Sequence, residues 1–497
     1  MPTSTASPTP KAIDSIQYTL FYGTFIHTPD LSNLDIKLNT FVGVDSNGEI
    51  DFIYKNDIKD VTSEEDLKQI FINERNESKS SKIDTKDIKF INHSKDFTKF
   101  FFPGFVDTHI HASQYPNIGV GLGVPLLDWL KEYTYPVENE FQSPTTKIEF
   151  AKSIYSKVIK RTLQNGTTCA SYFTTIDLDT TKLFAELLLQ YGQRGFVGKV
   201  CMDHNDVYEE YQESEQDCIK SMTDLISYCD KLNPKNENLI KPIVTPRFAP
   251  VCSPDLLNTL GSMSEKYNLP IQTHISENLE EIKLVKKLFP NCDGYAAVYN
   301  ESGLLNNKTI LAHAVHLTNE ESKLISEKQC SISHCPTSNT FISSGEAPIH
   351  DYLHKYKINV SLGTDVSGGF DSNILQMIKS SILVSHHLSM KNPTNKEDIR
   401  LNLSNALYMS TMGGAKAVGL QDKIGSFKVG KKFDAQLIDL SSSGSNIDIF
   451  DWHLPNDTKE EDNLKKINDL LGKWIFSGDD RNTIKVWCNG RLVIDKE

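Results

Sequence analysis

Two histidines stand at the end of an alternating apolar run, Pro103-Gly104-Phe105-Val106-Asp107-Thr108-His109-Ile110-His111. The alternation predicts a β-strand, and side chains two residues apart on a strand point to the same face. His109 and His111 would therefore project together from the strand end. Two neutral imidazoles can hold a borderline cation such as Zn²⁺ or Fe²⁺ when other donors approach. The alternative is a polar strand end with two solvated histidines, so this motif needs further ligands.

Further donors stand at the ends of later predicted strands. His274 ends a strand that begins at Pro270, and Glu277 follows it by three residues. His313 ends another predicted strand, and Asp365 ends a third. In a barrel of parallel strands the active site lies at the carboxyl ends of the strands. We therefore predict that these groups converge at one mouth with the two histidines of the first strand.

A repeating order of apolar strand, turn and amphipathic helix would position these residues. The predicted strands are the one ending at His111 and residues 167–173, 195–202, 242–248, 270–275, 309–314, 330–335 and 359–365. Segments with apolar residues at helical spacing lie between them, at 147–164, 179–191, 254–267 and 278–288. Eight such units predict an α/β protein with a (β/α)₈ barrel over residues 101–414. An open doubly wound sheet is the alternative, but the Gly-rich phosphate loop typical of that fold is absent.

Strand patterns also occur near both ends of the chain. Residues 16–53 alternate, residues 424–435 and 484–494 return to that pattern, and Asn489-Gly490 is a hairpin signal. We predict that 16–100 and 415–497 together form a small β-sandwich domain.

Three segments depart from this regular pattern. Residues 56–95 are rich in charge, with a helix expected near 63–72, and are predicted to be a solvated surface insertion. Residues 441–473 are predicted to be a polar excursion with one helix. Residues 1–15, rich in Ser, Thr and Pro, are predicted to be a disordered leader.

The composition limits the classes of function. The chain has 497 residues, 38% hydrophobic and 24% charged, and a net charge of −13. Binding to nucleic acid or anionic membranes requires an excess of Lys and Arg, so this charge argues against both partners. No apolar run approaches the length of a membrane span. The nine cysteines include no C-x-x-C pair, which predicts a reducing compartment, most simply the cytoplasm. A small-molecule substrate is the remaining expectation.

Eight stretches of the chain form a pattern that identifies a family. They are PGFVDTHIHASQY (103–115), NGTT (165–168), VGKVCMD (197–203), IVTPRF (243–248), HISEN (274–278), HCPTSN (334–339), LGTDVSGG (362–369) and GDDRN (478–482). Together they resemble the amidohydrolase superfamily and, within it, the guanine deaminases. The resemblance runs from about residue 16 to the end of the chain. The charged insertion and the leader depart from the family pattern but contain no candidate site residue.

The resemblance implies a metal-dependent hydrolase. Superfamily members with two metals carry a lysine at the end of the fourth strand, whereas this chain has Pro246-Arg247-Phe248 there. One divalent ion per chain is therefore expected, and the resemblance implies that His109, His111, His274 and Asp365 bind it. Zn²⁺ is the predicted ion, although three nitrogens and one oxygen suit iron as well. The resemblance also implies a homodimer.

The resemblance further implies a reaction and its catalytic residues. The expected reaction is hydrolytic deamination of guanine at C2, with a metal-activated water, to give xanthine and ammonia in purine catabolism or salvage. Glu277 would carry a proton from the water to the ring and then to the departing amine. Asp365 would accept the water proton, and His313 would hydrogen-bond the attacking oxygen from just outside the metal ligands. By the same pattern, His334 would line the site without binding the metal.

Residues at the ends of the first, fourth and fifth predicted strands would recognise the purine. Arg247 carries a fork of donors suited to O6 and N7 of guanine, and Gln114 offers both a donor and an acceptor to a base edge. Phe248 could stack on the ring, while His274 and Glu277 would lie next to the reacting carbon. Arg247 has an alternative role in a structural salt bridge, and Gln114 could instead cap a loop.

Two other functions remain open at this point. One is a deaminase or hydrolase of the same fold acting on another heterocycle, such as cytosine, a triazine or an adenosine derivative. The second, from a different class, is a barrel scaffold that has lost catalysis. Such a scaffold would be expected to lack a ligand or the proton shuttle, whereas every expected position is filled here.

Overall fold

The computed structural model describes residues 18–56, 63–94, 96–233, 238–391, 398–456 and 459–497. The predicted leader, residues 1–15, lies outside the described residues, as do residues 57–62 and residue 95 of the predicted charged insertion.

Within these ranges, strands alternate with helices in the middle of the chain and cluster at both ends. The strands are β1 (Tyr18–Asp30), β2 (Asn33–Asp45), β3 (Ile50–Lys55), β4 (Ile88–Asn92), β5 (Lys99–Pro103), β6 (Phe105–His111), β7 (Thr167–Phe173), β8 (Arg194–Gly198), β9 (Val200–Cys201), β10 (Ile240–Pro242), β11 (Thr245–Pro246), β12 (Ile271–Ile275), β13 (Thr309–His313), β14 (Ser331–His334), β15 (Asn359–Leu362), β16 (Ala435–Asp439), β17 (Thr483–Cys488) and β18 (Arg491–Asp495).

The α-helices follow the same order. They are α1 (Glu64–Ser78), α2 (Leu126–Trp129), α3 (Tyr135–Asn139), α4 (Lys147–Gln164), α5 (Leu178–Tyr191), α6 (Glu215–Leu232), α7 (Pro254–Tyr267), α8 (Leu279–Leu288), α9 (Tyr295–Glu301), α10 (Asn319–Glu327), α11 (Pro336–Phe341), α12 (Ile349–His354), α13 (Ile374–Lys391), α14 (Leu403–Ser410), α15 (Met412–Ala417) and α16 (Glu460–Ser477).

The strands β6 to β15 form a closed parallel barrel. β6, β7, β8 and β10 pair in that order, β9 pairs with β11, and β12 to β15 pair in sequence. A parallel bridge between Val244 and Ile271 joins the two halves. The ring closes where the Asp365 N–H donates to the His109 carbonyl at 2.8 Å and the His111 N–H donates to the Val366 carbonyl at 3.2 Å. The predicted (β/α)₈ barrel is confirmed.

Three predicted barrel strands are shorter or broken in the structure. The strand predicted at 195–202 is interrupted between β8 and β9, and the one at 242–248 is split into β10 and β11. Pro242 and Pro246 lack the N–H that a continuous ladder requires. The strand predicted to end at Asp365 ends at Leu362, and Asp365 has a left-handed backbone with φ of 47°. This turn directs the chain away from the sheet at the position that supplies a candidate ligand.

Local sequence signals set the starts of several barrel helices. The Ser253 side chain accepts from the Leu256 N–H at the start of α7. Asn278 and Glu281 form a capping box at the start of α8, and Thr318 and Glu321 form another at α10. Such caps satisfy N–H groups that the helix itself leaves unpaired.

The two chain ends form a β-rich domain, as expected, but its strands share one hydrogen-bonded sheet rather than two separate layers. The order is β18-β17-β16-β5-β1-β2-β3, with β4 also paired to β1. Phe21, Phe101, Phe433 and Trp487 belong to one buried cluster that draws on strands from both ends of this order. The sheet therefore curls around a single core, which gives the packing of a sandwich without a break in hydrogen bonding.

Two further predictions for this domain need correction. Residues 424–434 are not a strand, since β16 begins at Ala435 and both Gly425 and Gly430 have positive φ angles that break an extended chain. The apolar alternation there reflects burial of Phe427 and Phe433 in loops. The segment predicted as a surface insertion contributes β4 to the sheet and buries Phe71 of α1 completely.

None of the described helices combines the length and apolar character that a bilayer crossing requires.

Candidate active site

Four histidines and one aspartate meet at the carboxyl end of the barrel. His111 Nε2 lies 3.2 Å from His274 Nε2, and His109 Nε2 lies 3.2 Å from Asp365 Oδ1. Asp365 Oδ1 is also 3.4 Å from His111 Nε2, and Asp365 Oδ2 is 3.8 Å from His313 Nε2. The structure therefore brings together all five residues that the sequence placed at the ends of four strands.

The chemistry of this cluster fits a divalent cation. Burial lowers the pKa of His109, His111 and His274, so these imidazoles are neutral and offer lone pairs. Burial opposes ionisation of Asp365, but its contacts with His109, His313 and His111 together outweigh that effect and hold the carboxyl pKa below its usual range. Neutral imidazoles with one carboxylate are a donor set for zinc or iron.

Spacing and unsatisfied atoms support the same interpretation. One donor atom each from His109, His274, His313 and Asp365 lies within 4.8 Å of all the others. Among the described residues, the buried Nε2 atoms of His109 and His313 lack a hydrogen-bond partner. Buried polar atoms without partners are rare, so an ion or ligand is expected to satisfy them. By distance alone His313 is as close to the cluster as His111, which the sequence favoured as the ligand.

Neighbouring groups orient two of the histidines. His274 Nδ1 lies 2.5 Å from the carbonyl oxygen of Arg247, to which it donates, and this leaves Nε2 directed at the cluster. His313 Nδ1 lies 2.9 Å from Asn339 Oδ1. No local pattern in the sequence singles out Asn339, although it lies inside one of the family motifs.

Asp107 ties the first strand to the end of the last one. Its Oδ1 accepts from the His109 N–H at 3.2 Å and from the Thr364 N–H at 3.1 Å, and its Oδ2 accepts from Thr364 Oγ1 at 2.5 Å. Burial raises the pKa of this carboxyl to about 7. These bonds hold the two strand ends that carry His109 and Asp365 in register.

The backbone is strained where the candidate ligands leave their strands. Ser276, His313, Ala314 and Asp365 all have positive φ angles, between 47° and 72°. Such conformations cost of order 1 kcal/mol or more each in a residue other than glycine, and they cluster at functional sites. The barrel thus keeps several strained residues at this one end.

Glu277 stands between the cluster and the cavity. One of its carboxylate oxygens lies 3.4 Å from His313 Nε2, and the other accepts from Ser344 Oγ at 3.3 Å. Burial raises the pKa of Glu277 well above its usual value, which suits a group that must take up and release a proton.

A second buried carboxylate, Glu281, was not identified from the sequence. It accepts from the N–H groups of Glu277 at 2.9 Å and Asn278 at 3.2 Å, and from the Tyr295 hydroxyl at 2.8 Å. It therefore fixes the backbone that carries Glu277. Its capping-box spacing with Asn278 is the sequence signal that could have revealed it.

A cavity opens to solvent beside these groups, and the empty space within it and at its mouth is about 410 Å³. Apolar side chains line part of it, and charged and polar groups line the remainder. The lining residues are His111, Gln114, Leu126, Trp129, Leu130, Arg247, Phe248, His274, Glu277, Glu281, His313, Ile342, Asp365 and Gly368. Every residue predicted to bind substrate therefore lines one cavity.

Arg247 is both part of the cavity wall and a partner in a buried ion pair. Its Nη1 lies 2.5 Å from Glu138 Oε2, and its guanidinium lies 4.9 Å from the centre of the Tyr135 ring. Gln114 Nε2 donates to Glu138 Oε1 at 3.0 Å, and Gln114 Oε1 accepts from the Ser367 N–H at 3.3 Å. Glu138 was not selected from the sequence, because only the tertiary fold brings α3 to this wall.

Phe248 and His334 occupy different positions around the site. Phe248 lines the cavity, with its ring centre 6.4 Å from that of His274. His334 is fully buried, and burial lowers its pKa to about 3. Neither of its ring nitrogens has a hydrogen-bond partner among the described residues.

Comparisons with known proteins agree on one family. The model of the amidohydrolase family matches residues 100–493. The chain is 44% identical to a probable guanine deaminase of Schizosaccharomyces pombe, over 95% of this chain and 83% of that protein. It is 38% identical to the guanine deaminase of Homo sapiens over 96% of both chains. The crystal structure of guanine deaminase from C. acetobutylicum with bound guanine has a TM-score of 0.80 and 32% identity, covering 96% of this chain and 99% of that one.

Proposed function

The chain belongs to the amidohydrolase family and, within it, to the guanine deaminases, and from this membership we propose that it hydrolyses guanine to xanthine and ammonia. One observation carries the proposal. A single cavity is lined by every member of the His and Asp cluster except His109, by the Glu277 carboxylate, and by Arg247 and Gln114. This is the set of groups that a metal-dependent purine deaminase requires.

We assign the metal to His109, His111, His274 and Asp365, with one divalent ion per chain and zinc as the preferred ion. When bound, the ion would supply a Lewis acid that lowers the pKa of water to about 7. The Nδ1–H of His274 is held by the Arg247 carbonyl, so Nε2 is available for coordination without rotation of the ring. His313 is assigned to the reacting groups rather than to the metal, because its Nε2 also faces Glu277.

Asp365 and His313 would act on the water oxygen. Asp365 holds a buried carboxylate at the strand end, where Oδ1 faces His109 and His111 and Oδ2 faces His313. An ionised carboxylate here can accept the first proton of the water and orient its lone pair toward C2 of guanine. The Nε2 atom of His313 can hydrogen-bond the same oxygen as it adds to C2.

Glu277 would transfer the protons that the reaction requires. Its raised pKa means that the carboxyl gains a proton easily, and its position between His313 and the cavity gives it access to both water and base. Protonation of N3 makes C2 electrophilic, and protonation of the exocyclic amine makes it a leaving group. The new bond joins oxygen to C2, the C2–N bond breaks, and ammonia departs with the transferred proton.

Two other residues of the cavity wall would recognise the base. Arg247 and Gln114 present N–H donors, which suit the O6 and N7 acceptors of guanine. Adenine keeps N7 but carries a donor at the position of O6, so it would leave the N–H group that faces O6 without an acceptor. A site of this kind discriminates strongly, because unpaired buried polar groups are costly. Phe248 would pack against the ring.

We also propose a homodimer in the cytoplasm, on the strength of the family resemblance. All nine cysteines are free thiols, and eight of them are buried, which is in keeping with a reducing compartment.

Ammonia release by the purified holoenzyme tests the proposal. Guanine, adenine, cytosine and guanosine would be compared, with Glu277→Gln as the test variant. Glu280→Gln is the control, because Glu280 is an exposed glutamate in the first turn of α8, the helix that follows Glu277. We expect release from guanine alone, retained in the control and reduced by at least about 100-fold in Glu277→Gln. Preferred release from another base would overturn the assignment of substrate. Absence of release from every base, with metal bound, would favour a scaffold.

A further inference from the structure

Glu138 is a fully buried carboxylate that contacts both Arg247 and Gln114, the two residues of the cavity wall proposed to recognise the base. It accepts from Arg247 Nη1 at 2.5 Å and Nη2 at 3.4 Å, from Gln114 Nε2 at 3.0 Å and from Ser113 Oγ at 3.3 Å. Arg247 and Gln114 line the cavity, and Glu138 lies behind them on α3. A carboxylate with four hydrogen bonds and no exposed surface is held in one orientation.

This contact fixes the direction of the arginine donors. A guanidinium has five N–H groups in a rigid plane, and two of them are taken by Glu138. Within the described part of the chain, the others donate to no residue. The Tyr135 ring lies 4.9 Å from the guanidinium and restricts the plane further. The remaining donors of Arg247 are therefore presented to the cavity in one arrangement.

Gln114 is oriented by the same carboxylate. An amide side chain can rotate by half a turn and exchange its donor and acceptor ends. Here one N–H of Nε2 is held by Glu138, and Oε1 is held by the Ser367 N–H. The second N–H of Nε2 is left for a ligand acceptor. Without Glu138, only the Ser367 N–H would hold Gln114 against this exchange.

The carboxylate also offsets the charge of Arg247. Arginine is always ionised, and an unpaired guanidinium in a buried cavity would attract anions. Because Arg247 is paired with Glu138, this part of the cavity wall offers hydrogen-bond donors, and the two groups together carry no net charge. Such a wall suits an uncharged purine. Xanthine is a stronger acid than guanine and forms an anion in mildly alkaline solution, so the paired wall also disfavours the product.

We propose that Glu138 is a positioning residue for substrate selection, which orients Arg247 and Gln114 toward the O6 and N7 edge and masks the arginine charge so that neutral guanine is preferred over anionic purines. This inference rests on the proposed function and goes beyond it, since Glu138 touches neither substrate nor metal.

The test compares binding of four purines to Glu138→Gln. Guanine is measured by KM and kcat, and hypoxanthine, unsubstituted purine and xanthine by their inhibition constants in mildly alkaline buffer. Hypoxanthine carries O6, whereas unsubstituted purine lacks it. The matched control is Asp434→Asn, which breaks another buried arginine–carboxylate pair, with Arg194, outside the cavity lining.

We expect the KM of guanine and the inhibition constant of hypoxanthine to rise by about 10-fold to 100-fold, the change for a lost charged hydrogen bond. The constant for unsubstituted purine, which keeps N7 but lacks O6, should rise by less than that of hypoxanthine, and xanthine should bind as tightly as before or more tightly. The Asp434→Asn control should leave all four values unchanged.

Equal weakening of the binding of all four purines would mean that Glu138 has a merely structural role, and it would overturn the proposal. An unchanged KM for guanine would overturn it as well. If Glu138→Gln fails to fold, Glu138→Asp keeps the charge and shortens the side chain. This variant should bind guanine and hypoxanthine more weakly, while xanthine remains a poor ligand. Tighter binding of xanthine would refute the masking of the Arg247 charge by a carboxylate at this position. A failure of the proposed function is distinguishable, because it would appear as absence of guanine turnover in the unsubstituted chain.

Discussion

His274 Nδ1 lies 2.5 Å from the carbonyl oxygen of Arg247. Arg247 thus serves two parts of the site. Its backbone carbonyl orients His274, a proposed metal ligand, and its side chain lines the cavity. The two roles are separable, because a substitution changes the side chain and leaves the carbonyl in place.

Arg247→Lys should therefore weaken substrate binding without releasing the metal. Lysine keeps the charge but loses the planar fork, so we expect kcat/KM for guanine to fall by about 100-fold. Metal content by elemental analysis should stay at one ion per chain. Loss of metal from this variant would show that the side chain, and not only the carbonyl, supports His274.

The ligand assignment predicts different outcomes for two histidines. His111→Ala should lower the bound metal to well below one ion per chain and abolish activity, because it removes a coordinating nitrogen. His313→Asn should keep the metal and lose most of kcat. Elemental analysis with circular dichroism as a check of folding decides between them. If the outcomes were reversed, His313 would be the ligand and the assignment of His111 would be wrong.

Asn339 should matter through His313 alone. The 2.9 Å contact between Asn339 Oδ1 and His313 Nδ1 fixes the ring and favours a proton on Nδ1. Asn339→Leu should lower kcat by about 10-fold to 100-fold, the usual effect of removing a group that orients a site histidine. The KM for guanine and the metal content should stay near their original values. A rise in KM with kcat unchanged would contradict this role.

His334 should make stability depend on pH. Burial lowers its pKa to about 3, whereas an unfolded histidine titrates near 6.5. Below about pH 6.5 the unfolded chain binds a proton at this histidine and the folded chain does not. The contribution of neutral His334 to the free energy of unfolding is therefore fully present above that pH and decreases as the pH falls toward 3. In His334→Gln the decrease in Tm between about pH 7 and pH 5 should be smaller than in the unsubstituted chain. An equal decrease would mean that His334 takes up its proton in the folded state.

The strand ends could be predicted from the sequence because they combine two local signals. An alternating apolar run gives the strand, and the polar residue that follows gives its end, as at His111 and His313. The barrel then dictates that all such ends meet. The alternation at 424–434 satisfies the same rule, but the strand predicted there is wrong. Phe427 and Phe433 are buried from loops that contain glycines with a left-handed backbone conformation.

The groups that orient the site could not be predicted in the same way. Glu138, Glu281 and Asn339 lie on helices, and their hydrogen-bond partners are between 3 and 109 residues away along the chain. A buried glutamate has no local pattern that distinguishes it from an exposed one. Glu281 is the exception in part, since its capping box is visible in the sequence.

The most direct test of the account follows xanthine formation from guanine by ultraviolet absorbance, with metal content measured on the same sample. We predict one xanthine and one ammonia for each guanine consumed, loss of turnover when a chelator removes the metal, and recovery when one equivalent of zinc per chain is restored. Turnover that persists after the metal has been removed would contradict the mechanism. A metal-loaded chain that leaves guanine unchanged would contradict the function itself.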